Sequence, residues 1–85
     1  MVDVRLNVIL DPEHAGGRPL PELARAAVAG GATLLQYRDK TAETGELVAT
    51  ARAVLSAIEG SGVPLLVNDR VDVALAAGAD GVHIG

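Results

Sequence analysis

Gln36, Arg38 and Lys40 are the first residues whose types and spacing suggest chemistry. Alternate residues of an extended chain share a face, so one amide and two cations point one way while Tyr37 and Asp39 point the other. Arg grips phosphate through two parallel N–H bonds and Lys adds a mobile point charge, so the trio can act as a diphosphate clamp. The same residues also fit a solvated loop, with Arg38 and Lys40 paired to Asp39 or Asp11. Tyr37, turned away, fits packing beneath a helix. Asn68-Asp69 form a second group. A carboxylate there suits Mg2+, which commonly takes one or two carboxylates and fills its shell with substrate phosphates. Asp is also a preferred helix N-cap, and Asp69-Arg70-Val71-Asp72 reads as a helix start. Different oxygens of one carboxylate can serve both purposes. Asn68 can bind a heterocycle or a phosphate oxygen, or be a satisfied amide at a strand end.

His83 lies between Val82 and Ile84, which fall on the opposite face, so it faces the barrel interior or its mouth; a hydrogen-bonded interior imidazole is the preferred reading over a site residue. His14 reads as an exposed loop residue, and Asp11-Pro12 as a turn that borders the same end of the molecule. No Ser–His–Asp pattern or metal-type His spacing occurs. With no Cys, disulfides and Cys-based zinc or iron–sulfur sites are excluded. A net charge of −4 and a single aromatic residue leave neither the basic stripe nor the stacking platform of a nucleic-acid binder. The hydrophobic share of 49% against 21% charged marks a folded chain, not a disordered one. Met1-Val2-Asp3-Val4-Arg5-Leu6 carries charge where a signal peptide needs an apolar core, and no apolar run approaches membrane-spanning length. A cytoplasmic protein with no membrane partner is the expectation.

The elements that position these residues alternate. Leu6–Leu10 reads as a strand closed by Asp11-Pro12, with Gly16-Gly17-Arg18-Pro19 as loop. A helix from Pro21, carried by Leu20, Leu23, Ala24, Ala27 and Val28, ends at Gly30-Gly31. Ala32–Tyr37 is a strand. A long helix from about Glu43 to Glu59 places Leu47, Val48, Ala51, Val54, Leu55 and Ile58 on one stripe. Val63–Asn68 is a strand with Pro64 tolerable only at its start. A short helix from Arg70 to about Ala77, capped by Asp69, leads through Gly78 to a strand over Asp80–Ile84, and the sequence stops at Gly85.

Strands alternating with helices predict parallel pairing with right-handed crossovers. A helix glycine, an apolar strand and a polar strand exit recur as a unit of the (β/α)8 barrel. A doubly wound open sheet is the alternative, but no glycine-rich phosphate loop follows the first strand. Whole barrels need about 250 residues, so residues 1–85 are expected to form one partial barrel, four strands and three helices from the N-terminal half. Its open edge invites self-association.

The runs Gln36-Tyr37-Arg38-Asp39-Lys40, Leu65-Leu66-Val67-Asn68-Asp69-Arg70-Val71-Asp72-Val73-Ala74 and Ala77-Gly78-Ala79-Asp80-Gly81-Val82-His83-Ile84-Gly85 together resemble thiamine phosphate synthase along essentially the whole chain. The resemblance implies a transferase on a (β/α)8 barrel. Such an enzyme couples hydroxymethylpyrimidine diphosphate to thiazole phosphate, releasing pyrophosphate and forming thiamine phosphate. It also implies a dissociative path, in which pyrophosphate leaves before the thiazole nitrogen attacks, so no covalent nucleophile is required. By position, Gln36, Tyr37, Arg38, Asp39, Lys40 and Asn68 correspond to the substrate-binding motifs and Asp69 to one Mg2+ ligand, while His83 stays structural.

The family's second Mg2+ carboxylate, a further lysine and the thiazole-phosphate loops follow the motif that ends at Gly85. The isolated chain is therefore expected not to catalyse the coupling. Two other readings are a fragment of the related thiazole tautomerase, an isomerase with no diphosphate to hold, and a non-catalytic half-barrel that serves in binding or assembly.

Overall fold

The computed structural model describes residues 5–84; Met1-Val2-Asp3-Val4 and Gly85, both used above, lie outside the described residues. Strands β1 (Asn7–Leu10), β2 (Leu34–Tyr37), β3 (Leu65–Asn68) and β4 (Gly81–His83) alternate with helices α1 (Leu20–Ala29), α2 (Thr44–Ala57) and α3 (Val71–Ala77). A single 3-10 turn, Pro12–His14, follows β1. Its Asp11 carboxylate accepts from the Glu13 N–H at 2.9 Å, so the Asp-Pro pair does form a turn.

The four strands form one parallel sheet in the order β1-β2-β3-β4. A doubly wound sheet would reverse its strand order and carry helices on both faces. Here the order never reverses, and α2 packs between α1 and α3. Consecutive strands with a single helix layer are the arrangement of a (β/α)8 barrel's N-terminal half. Among the described strands, β1 and β4 are each paired on one side.

The core lies between sheet and helices. Leu10, Leu35, Tyr37, Leu65 and Val67 point into it from the strands; Ala24, Leu47, Ala51, Val54 and Val73 meet them from the helices. The predicted α2 stripe is the buried one, with Val48 and Leu55 at its margin. Tyr37 is thus packed beneath the helix layer. By alternation, Ile9, Gln36, Leu66, Asn68, Gly81 and His83 lie on the opposite, open face of the sheet.

Element ends differ from the sequence reading for local reasons. β3 begins at Leu65 because Pro64 has no N–H to give the ladder, although its carbonyl accepts from Leu35 at 3.0 Å. β2 begins at Leu34, because Thr33 turns its hydroxyl onto Leu6 and acts as a lead-in. α3 is headed by Arg70, not by Asp69, which corrects the expected cap. Asp69 has φ +60°, the only positive φ outside glycine among the described residues. At the other end of α3, Gly78 adopts φ +78° and returns its N–H to Ala74, the conformation for which glycine is favoured at a helix end.

Candidate active site

The polar residues expected to act gather at the C-terminal ends of β2, β3 and β4. Gln36 is buried at 5% exposure although fully polar, and a buried amide must find partners. Asn68 Nδ2 donates toward Gln36 Oε1 at 3.5 Å and lies 3.3 Å from His83 Nδ1. An amide NH2 only donates, so His83 Nδ1 is the acceptor and the ring's own proton belongs on Nε2. This row crosses three strands and leaves Gln36 Nε2 and Asn68 Oδ1 for a ligand. Below it, the Asp69 N–H donates to the His83 carbonyl at 2.7 Å, which anchors the strained residue to β4. His83 is hydrogen-bonded as read, but at β4, which is paired on one side among the described strands, it is exposed and not interior, which corrects the expected placement.

Arg38, Lys40, Asn68 and Asp69 line one cavity of about 280 Å³, joined by Asp39 and Arg70. A neighbouring cavity of about 420 Å³ on the open face is lined by Gln36, Arg38, Asn68, Asp69 and His83, with Asn7 and Ile9. Arg38, Asn68 and Asp69 belong to both. Cations from one strand exit thus face an amide and a carboxylate from the next, around a space at the small end of ligand pockets.

Tyr37 and Asp39, expected to bind substrate, are placed differently. The Tyr37 hydroxyl donates to Asp39 Oδ2 at 3.3 Å beneath the β2 exit. Asp39 Oδ1 accepts from the Thr41 N–H at 3.0 Å, the Ala42 N–H at 3.1 Å and the Thr41 hydroxyl. Both carboxylate oxygens are used within its own loop. Burial, with the negative charges of Asp39 and Glu46 adding to it, pushes the Tyr37 phenol up to about 12. Burial works against the Asp39 anion, but the Thr41 and Ala42 amides outweigh it and hold the carboxyl below its usual value. These two residues shape the loop that carries Arg38 and Lys40.

A larger cavity, about 540 Å³, lies between the start of α1 and α2, with Tyr37 and Thr50 in its wall. It is lined by Asp39 and Glu46 and by no cation, so it does not suit a phosphate ligand. For a divalent metal, the fitting donor is the Asp69 carboxylate. Asp69 borders the cation-lined cavity and is not the residue that heads α3. Another group, Asp11, Glu13 and His14, lies after β1; Asp11 is buried in its turn, and His14, exposed as read from sequence, lies 3.7 Å from it.

Sequence spacing did not single out Arg70. Its guanidinium takes Asp72 in a fork at 3.0 and 2.8 Å and also donates to the Thr44 hydroxyl at 2.8 Å. The hydrogen bond from Arg70 holds the Asp72 carboxyl at about 2. The Asp two residues after it was the available signal.

The family model described as thiamine monophosphate synthase matches residues 6–85. The chain belongs to this family. It is 62% identical over 84 residues to the thiamine-phosphate synthase of Agrobacterium fabrum, covering 99% of this chain and 38% of that one. It is 48% identical over 85 residues to the thiamine-phosphate synthase of Chloroflexus aurantiacus, covering all of this chain and 39% of the relative. The solved thiamine phosphate pyrophosphorylase of Pyrococcus furiosus superposes with a TM-score of 0.80 at 37% identity, over 93% of this chain and 38% of that one. The chain therefore spans about two fifths of the length of these relatives. Among the described residues, no helix is long and apolar enough to cross a membrane.

Proposed function

We propose that this chain carries the pyrimidine-diphosphate part of a thiamine phosphate synthase site. One observation carries the reading: Arg38 and Lys40 line the same small cavity as Asn68 and Asp69, although they leave different strands. Arg38 and Lys40 would hold the diphosphate oxygens, with Arg38 fixing their orientation through paired N–H bonds. The free Gln36 Nε2 and Asn68 Oδ1 would orient the pyrimidine diphosphate so that its leaving bond points at the cations. Asp69 would hold Mg2+. When bound, that ion supplies neutralisation of the charge that builds on the departing pyrophosphate. Tyr37 and Asp39 serve this site indirectly, by shaping the loop. A paired cation clamp has work in a diphosphate-releasing transferase and none in the tautomerase.

The thiazole phosphate, as second substrate, would be met by parts of the barrel outside the matched two fifths, so the isolated chain is expected to form no thiamine phosphate. Diphosphate binding is testable directly. Calorimetric titration of the chain with magnesium pyrophosphate should show binding, and Arg38→Ala or Lys40→Ala should each weaken it roughly tenfold or more, the size of one charge-assisted contact. Asp69→Asn should abolish the dependence on Mg2+. Affinity indifferent to both cations would refute the reading. A cytoplasmic location accords with such small phosphorylated substrates, and the single-sided pairing of β1 and β4 supports self-association of the isolated chain.

A further inference from the structure

α2 and α3 are linked by two arginines, one at each end of their contact. Arg52 on α2 donates to the Ala76 carbonyl at 2.9 Å, near the C-terminus of α3. Arg70, at the head of α3, donates to the hydroxyl of Thr44, the first residue of α2, at 2.8 Å. The two links are chemically similar, but they act at different places. The second joins the loop after β2, which carries Arg38 and Lys40, to the loop after β3, which carries Asp69.

Arg70 also borders the cation-lined cavity, yet its fork is already closed on Asp72 through Nε and Nη2. Two N–H groups remain on Nη1, but the Asp72 carboxylate already offsets the guanidinium charge, so Arg70 attracts a phosphate less than the unforked Arg38 and Lys40 do. What Arg70 offers is rigidity. A planar fork fixed by Asp72 has one direction left for Nη2, and Thr44 fills it. Asp69, immediately before Arg70, is held at φ +60° and tied to β4 through its N–H. The two sides of the cavity are therefore fixed in different ways, Asp69 to the sheet and the cation loop to Arg70.

We infer that Arg70 is a positioning residue, which, through Thr44, sets the spacing between the Arg38/Lys40 pair and Asn68/Asp69. This rests on the diphosphate reading above, and the test separates the two. The probe is magnesium pyrophosphate titrated into the chain, with thermal unfolding followed by circular dichroism. Thr44→Val keeps the branched shape and removes the hydroxyl. It should weaken binding roughly fivefold, the size of one hydrogen bond. Thr44→Ser should restore it. Arg70→Lys, whose single ammonium cannot hold Asp72 and Thr44 in one fixed plane, should resemble Thr44→Val. Arg52→Ala removes the distant link, and should lower the unfolding midpoint without moving the affinity measured well below that midpoint. If Thr44→Val behaves like Arg52→Ala, lowering stability only, the positioning role is overturned while the clamp stands. If Arg38→Ala also leaves the affinity unchanged, or the wild-type chain gives no binding, the diphosphate reading fails, and the positioning role with it.

Discussion

β2 and β3 each have two unlike sides. Leu35, Tyr37, Leu65 and Val67 face the helices and are almost completely buried, whereas Gln36, Arg38, Leu66 and Asn68 alternate with them on the side that faces no helix. The first set is apolar apart from one phenol and makes the fold. The second mixes amides, a cation and one leucine, and makes the cavities. Neighbouring residues on one strand therefore answer to different demands. A substitution on the helix side should register in stability, and one on the open side in binding.

The sharpest way to break this contrast is a pair of truncations. Leu65→Ala removes a fully buried side chain and should cost about 2–5 kcal/mol, enough to unfold most of a small domain with a thin margin. Leu66→Ala, half-buried on the other side, should cost under half as much, as judged by urea denaturation of both variants. Equal losses would mean that the open face is as well packed as the core. Next in size is Gly78→Ala, which forces an alanine to φ +78° and should cost about 1 kcal/mol, with magnesium pyrophosphate binding unchanged.

Two titrations sharpen the contrast further. Tyr37 is the sole tyrosine, and the chain has no Trp, so its phenolate absorbance reports one site. Its midpoint should lie near 12 instead of 10. The folded value is raised, so the stability this group contributes is complete below about pH 10 and is lost as pH rises through about 12. A midpoint near 10 would put Tyr37 outside the core. The smallest effect belongs to Asp72, whose folded carboxyl is lowered from 3.8 to about 2 by Arg70. Its contribution is present above its ordinary value and fades as pH falls toward about 2. Asp72→Asn should remove this contribution, lowering stability at neutral pH and flattening the acid limb in that window by the same amount, which is small because the pair is exposed.

Much of this molecule can be read from local pattern. The α2 stripe, the glycine stops and the apolar strands depend on periodicities of a few residues, and each forms where its pattern places it. The candidate trio is legible for the same reason, since residues spaced two apart on a strand share a face whatever surrounds them. The reading failed at Asp69-Arg70. Both fit a helix start by type, and the choice depended on a left-handed backbone at Asp69 whose N–H bonds to β4. It also missed Arg70 as a link, because its partner Thr44 is 26 positions away. Asp39 was grouped with its ligand-like neighbours, but two loop amides occupy it.

The amino-acid sequence by itself determined the alternation of elements, the faces of each strand and the family motifs, because those rest on short-range stereochemistry. The tertiary structure decided the strand order without reversal, the meeting of Gln36, Asn68 and His83, and the choice of Arg70 to head α3. Those depend on parallel register, which brings side chains as far apart as 32 positions within hydrogen-bond reach, a distance no local pattern encodes.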